Sequence, residues 1–157
     1  MEIAIRDWQA ADTENILKAW LEFCRSAARS NMRLKRDAER AMRQWLMSRF
    51  RDPHSFGFIA EKDGVFTGFL VGRVDEWEST PPVLEPRKLG IIDAVYVNPE
   101  FRRSGIGAGL VERALQVMRD RNAAAVETIY DAGSDASSAL WTEAGFAPWM
   151  VHAYRNL

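Results

Sequence analysis

Val95-Tyr96-Val97-Asn98-Pro99-Glu100-Phe101-Arg102-Arg103-Ser104-Gly105-Ile106-Gly107-Ala108-Gly109-Leu110 joins three kinds of segment in one short stretch. Its start closes a nearly continuous apolar run, residues 89–97. Such a run reads as a strand buried on both faces. Asn98-Pro99 stops it. Arg102 and Arg103 make a basic turn, and three alternating glycines follow. Leu110, Val111, Ala114, Leu115 and Met118 then recur at helical spacing. A strand therefore runs through a basic turn into a glycine-opened helix.

The physics of that junction suits a phosphate. The first N–H groups of a helix lack intrahelical partners, and the helix dipole adds partial positive charge there. Glycines admit close approach to the backbone. Arg102 and Arg103 add charge-assisted donors. The segment predicts an anion site at the helix start. A plainer reading is a glycine-rich helix start with no ligand. A Walker A loop is excluded, because no Gly-Lys-Ser/Thr follows. A Rossmann fingerprint also fails: Gly105 and Gly107 are followed by Gly109-Leu110, which puts the third glycine out of place.

Outward from this segment, the order reads β α α β β β α β α β. Residues 2–6 alternate as a short strand. Asp12 stands where it can cap a helix from Thr13, whose stripe is Ile16, Leu17, Trp20, Leu21, Cys24 and Ala28. Residues 36–50 repeat the pattern more loosely, and Asp52-Pro53 ends it. Residues 56–61 and 65–74 flank Lys62-Asp63-Gly64, a strong hairpin signal. Residues 75–88, with Pro81, Pro82 and Pro86, read as a loop. After the glycine helix come a strand at 124–130 and a helix at 135–144. Ser134 or Asp135 would cap that helix, and Gly145 would close it. A last strand is expected over 146–154. The strand–helix–strand unit around the glycine turn predicts a parallel pair with a right-handed crossover.

Arg102-Arg103-Ser104-Gly105-Ile106-Gly107 resembles the Arg/Gln-x-x-Gly-x-Gly/Ala motif of the GCN5-related N-acetyltransferases, the GNAT family. Val97-Asn98-Pro99-Glu100-Phe101-Arg102 is similar to that family's strand end. Ala139-Leu140-Trp141-Thr142-Glu143-Ala144-Gly145-Phe146 resembles its late helix. The resemblance covers nearly the whole chain as one domain, 1–157. It implies an α/β fold: a mixed, mostly antiparallel sheet of six to seven strands with helices on both faces. It implies acetyl-CoA as co-substrate, with its pyrophosphate on Arg102, Arg103, Ser104, Gly105, Ile106, Gly107 and Ala108. The pantetheine arm would lie along Val95, Tyr96 and Val97, with a bulge near Val95–Tyr96 aiming an N–H at the thioester. The implied reaction is direct attack of a primary amine on the acetyl thioester. The acceptor would be a small molecule or a protein N-terminus or lysine.

An ammonium cannot attack, so a base is needed. Asp93 is the first candidate, one carboxylate in the apolar run 89–97. The alternative is that Asp93 only pairs with an arginine. Glu127 is weaker, as an ordinary solvent-facing strand position. The family's thiolate acid is a Tyr in the late helix, but Trp141 stands there, and an indole cannot act as an acid at neutral pH. Tyr130 and Tyr96 remain candidates, with half-buried packing the alternative for Tyr130. Ser134 stands near the family's pantetheine-binding Asn. A non-catalytic acyl-CoA sensor stays open on the strength of Trp141.

Composition bounds the rest. Apolar residues are 47%, charged residues 27% and the net charge is -1, which argues against a generic polyanion binder. One cysteine allows no internal disulfide, and the two histidines have no metal-ligand spacing. The opening residues do not resemble a signal peptide, and no run approaches a membrane span, so a cytoplasmic protein is expected. No nucleic acid, membrane or metal partner is expected, and homodimerisation is open. Asp75, Glu76, Trp77 and Glu78 would suit a cationic acceptor, or simply solvate a loop. Residues 33–51 carry seven Lys/Arg against two Asp/Glu, which would suit an acidic partner or a solvated helix face. Trp20 and Trp45 are assigned to packing, and Cys24 to the core. His152 has no assignable partner.

Overall fold

The computed structural model describes residues 2–27 and 31–157. The elements run β1 (Ile3–Asp7), α1 (Thr13–Ala27), α2 (Ala38–Arg51), β2 (Ser55–Lys62), β3 (Val65–Trp77), β4 (Arg87–Val97), α3 (Ile106–Asp120), β5 (Ala125–Thr128) and α4 (Asp135–Glu143). The sheet order is β1-β2-β3-β4-β5. All neighbours are antiparallel except β4 and β5, which are parallel. The fold is mixed α/β, as expected, and the parallel pair falls where the crossover helix α3 requires it.

Two apolar clusters fix the layers. On one face, Ile106, Leu110, Val111, Ala114 and Met118 of α3 pack on Phe58, Leu70 and Ile92. On the other, Ile16, Leu17 and Leu46 of α1 and α2 pack on Ile59, Phe69 and Val71. Each such side chain, fully buried, contributes roughly 1.5–3 kcal/mol. Trp20 and Trp45 meet edge to face at 5.2 Å within the second cluster. Gly90 lets α3 pack close: a Cβ there would lie 2.5 Å from the Met118 sulfur. Ala28, the last residue of the expected α1 stripe, lies outside the described residues.

Four expectations need correction. Among the described residues the sheet has five strands, not six or seven. Residues 146–154 form no strand, because β5 ends the sheet and the segment makes no ladder with it. β3 and β4 run further than expected, to Trp77 and from Arg87, so Asp75, Glu76 and Trp77 are strand residues. Cross-strand pairs Asp75↔Leu89, Glu76↔Lys88 and Trp77↔Arg87 hold them there, and the prolines occupy only the loop between the strands. Asp12 does not cap α1. It belongs to a 3-10 turn, Ala10–Asp12, where its carboxylate accepts from the Gln9 N–H at 2.7 Å and from both Arg6 Nη groups at 2.8 Å.

Candidate active site

The ladder between β4 and β5 is short. It pairs Leu89↔Ala125, Gly90↔Val126, Ile91↔Glu127 and Ile92↔Thr128, and then β5 ends. Beyond Ile92, β4 keeps its ladder to β3 alone, through Ala94↔Val71, Val95↔Leu70, Tyr96↔Phe69 and Val97↔Gly68. Residues 94–97 therefore present one strand edge with no strand partner among the described residues. At ~3.3 Å per residue the step from Asp93 to Val97 spans about 13 Å. That edge runs straight into the glycine turn.

The turn is built to hold its shape. The Asn98 N–H donates to Thr67 O at 2.8 Å, and the Arg102 Nε–H donates to Val97 O at 3.2 Å. Pro99–Phe101 makes a 3-10 turn. Arg103 (φ 60°) and Gly105 (φ 82°) both sit in the left-handed region. Two such residues flanking Ser104 curl successive N–H groups toward one side, a nest suited to an anion. Gly105 is the N-cap of α3 and takes this φ without strain. The Gly109 N–H bonds Gly105 O at 2.9 Å, closing the first turn of α3. The N–H groups of Ile106, Gly107 and Ala108 precede that closure and have no carbonyl one turn earlier. Arg102 and Arg103 are solvent-exposed. The pieces expected to hold a pyrophosphate thus converge on one spot.

Asp93 sits where the two halves of β4 meet. The register shifts between Val71 and Gly72, so that Ala94 and Ile92 have partners and Asp93 is the extra residue. The bulge therefore lies at Asp93, not at Val95–Tyr96. Val95 and Tyr96 lie within the regular ladder to β3, which leaves no room for an extra residue there. Arg73 of β3 donates from Nη1 to Asp93 Oδ1, and from Nε to Asp75 Oδ2 at 2.7 Å. Burial works against the Arg73 charge, but these two carboxylates outweigh it and raise its pKa. The Asp93 side chain is 15% exposed, and its Oδ2 is buried with no hydrogen-bond partner. A buried carboxylate oxygen without a donor is costly, so Oδ2 is an unmet acceptor at the bulge.

Tyr96 lies on the α1 side of the sheet. Its ring stacks on Phe69 at 5.8 Å. Burial pushes its hydroxyl pKa up, Glu22 of α1 pushes it further, and Arg102 opposes them.

Other candidates fall elsewhere. Tyr130 lies beyond the end of β5, with its ring 6.3 Å from that of Trp141. Trp141 is buried and meets Phe146 edge to face at 5.1 Å, so it is a core residue. The Ser134 hydroxyl caps α4, accepting from the Ser137 N–H at 3.3 Å. Glu127 is exposed on β5. The Trp77 face is covered by the Arg87 guanidinium at 5.2 Å, and Arg73 takes Asp75. Trp77 pairs with the first residue of β4, six residues from Asp93, or roughly 20 Å. That stretch is not beside the unpaired edge. Basic residues of α2 are spent locally: Arg43 bonds Glu14 and Glu39, and Arg40 bonds Asp37. His152 is exposed.

Sequence reasoning missed Arg73. Arg73 had a signal: it is a lone cation in an apolar strand, next to the strand that carries a lone carboxylate.

Comparison with known proteins settles the family. Residues 10–146 match the acetyltransferase (GNAT) family. The chain belongs to the GNAT family. It is 34% identical over 118 residues to an uncharacterized N-acetyltransferase of Archaeoglobus fulgidus, covering 75% of each chain. It is 33% identical over 84 residues to another of Methanocaldococcus jannaschii, but spans only 34% of that longer protein. In structure it is similar to the aminoglycoside N-acetyltransferase AAC(6′)-Iy, solved with CoA. The TM-score is 0.77 at 17% identity, covering 99% of this chain and 95% of the other. As a GNAT protein, the chain is an acyl-CoA-dependent acetyltransferase. No helix among the described residues is long and apolar enough to cross a membrane.

Proposed function

We propose that this GNAT chain moves the acetyl group of acetyl-CoA onto a primary amine, on a small molecule or a protein N-terminus or lysine. The observation that supports this most is the unpaired edge of residues 94–97 leading from Asp93 into the nest at Arg103 and Gly105. Acetyl-CoA extends along that edge, bonding the backbone of Val95, Tyr96 and Val97 as an added strand would. Its pyrophosphate rests on the backbone of residues 103–108, with Arg102 and Arg103 adding charge. The thioester then lies near Asp93.

The incoming ammonium approaches Asp93, whose Oδ2 has no other partner, while Arg73 holds Oδ1 and orients the carboxylate. Asp93 takes a proton, directly or through water, and the amine nitrogen attacks the thioester carbon. A backbone N–H of the unpaired edge stabilises the oxyanion. The nitrogen gives up its second proton to water, the C–S bond breaks, an amide forms, and the CoA thiolate leaves. Tyr96, on the same open half of β4, is the phenol this reading assigns to donate to the departing sulfur. Neither Trp141 nor Tyr130 is asked for that step.

Thiol release from acetyl-CoA across a panel of polyamines, amino sugars and lysine peptides tests the reading. At least one amine should release thiol above hydrolysis and gain an N-acetyl group by mass. Acetyl-CoA binding without any amine-dependent release would sink the amine reading and leave an acyl-CoA sensor.

A further inference from the structure

Arg73 and Asp75 are two residues apart on β3, so their side chains share one face of the sheet. From there Arg73 reaches both ways. Its Nε–H donates to Asp75 Oδ2 at 2.7 Å, and its Nη1 donates to Asp93 Oδ1 on the neighbouring strand. One guanidinium thus sits between two carboxylates, and only one Asp93 oxygen is met.

Arginine–carboxylate pairs are frequently bidentate, because the planar fork matches both oxygens at once. The Arg73 and Asp93 side chains are 19% and 15% exposed, so solvent competes little with that arrangement. Yet Asp93 Oδ2 is buried without a donor. Asp75 is what distinguishes this group from a simple pair. It engages Nε, and the guanidinium is rigid, so holding Nε also sets the direction of Nη1. The Asp75 side chain is 40% exposed, and an ion pair open to solvent adds little to stability. Its consequence is the orientation of Arg73. The cross-strand partners of Asp75 and Arg73 are Leu89 and Ile91, whose side chains offer neither a competing donor nor an acceptor.

We infer that Asp75 is a positioning residue for the transfer reaction. By holding Arg73 Nε it restricts Arg73 to one Asp93 oxygen and keeps Oδ2 open to the acceptor amine. This rests on Asp93 as the base. With Asp75 removed, the guanidinium turns its fork onto both Asp93 oxygens. Asp93 is then intact but covered, and the amine meets no free acceptor at the bulge.

Crystal structures and steady-state kinetics of paired variants test this. In Asp75→Ala, Arg73 should contact both Asp93 oxygens. With the panel amine that releases thiol fastest, kcat of that variant should fall by about 10–100-fold. Its KM for acetyl-CoA and its cooperative unfolding should stay as in the wild type. Adding Arg73→Lys should restore most of the lost rate, because an ammonium has no planar fork to lay across both oxygens. A damaged scaffold would not be mended by a second substitution. In an Asp93→Asn background, Asp75→Ala should cost nothing further. An Asp93→Asn variant as fast as the wild type would remove the base reading and this inference with it. With Asp93→Asn slow, three results would each overturn the inference alone. These are an Asp75→Ala variant as fast as the wild type, a loss that Arg73→Lys does not relieve, or Arg73 still on one oxygen in the Asp75→Ala crystal.

Discussion

The two halves of β4 differ in one respect that separates scaffold from site. Residues 89–92 are bonded on both sides, to β3 and to β5. Residues 94–97 are bonded to β3 alone. The first half therefore has its backbone satisfied and Ile92 sealed under α3. The second half offers free backbone groups to a ligand. Asp93, the bulge residue, stands at the boundary with one oxygen held and one unmet. On the proposed reading, a strand becomes a binding site by losing one neighbour, not by changing its composition.

Four experiments break or sharpen that contrast. At the boundary, Asp93→Asn should cut amine-dependent thiol release by about 10²–10⁴-fold while acetyl-CoA affinity is kept, read by steady-state kinetics and calorimetry. Equal losses in binding and turnover would give Asp93 a structural role instead. In the sealed half, Ile92→Ala should cost about 2–5 kcal/mol in urea unfolding. The folded fraction should bind acetyl-CoA as before. At the end of the open half, Arg103→Ala should weaken acetyl-CoA binding about tenfold with little change in stability, and added salt should shrink the difference.

Asp12 is a control remote from both halves. Arg6, at hydrogen-bond distance, holds its carboxyl below the ordinary range, helped by the Gln9 N–H against the cost of burial. Its stabilisation is full above the unfolded value of about 3.9 and is lost as pH falls through the lower folded value. Asp12→Asn should cost about 1 kcal/mol at pH 7, since the Arg6 side chain is 35% exposed. The cost should fade on acidification below about pH 4, followed by thermal melts, and acetyl-CoA binding should not change.

Much of the layout was legible from residue order. The run at 89–97, the stop at Asn98-Pro99 and the glycine helix carry local signals that tertiary contacts do not override. Their outcome is β4, the turn and α3. The Arg73–Asp93 pair was half legible, because a lone charge in an apolar strand announces a partner but not which one. The bulge at Asp93 was misplaced by two residues, since register depends on how Gly72 and Val71 of β3 meet β4. The last strand was read from its own residues. A strand also needs a neighbour, and no local pattern supplies one. The ends of β3 and β4 were cut short because three prolines in the connecting loop masked pairing that cross-strand contacts provide.

Acyl-CoA occupying the open edge and the nest is the step on which the proposed function depends. A thermal-shift titration with acetyl-CoA, run beside ATP and NAD, tests this most directly. At about 100 times the dissociation constant, binding adds about 2.7 kcal/mol. For a chain of this size that raises Tm by roughly 5–10 °C. That rise is expected for acetyl-CoA, with a smaller one for ATP and NAD and a reduced one in Arg103→Ala. No rise with acetyl-CoA, or an equal rise with ATP, would contradict it.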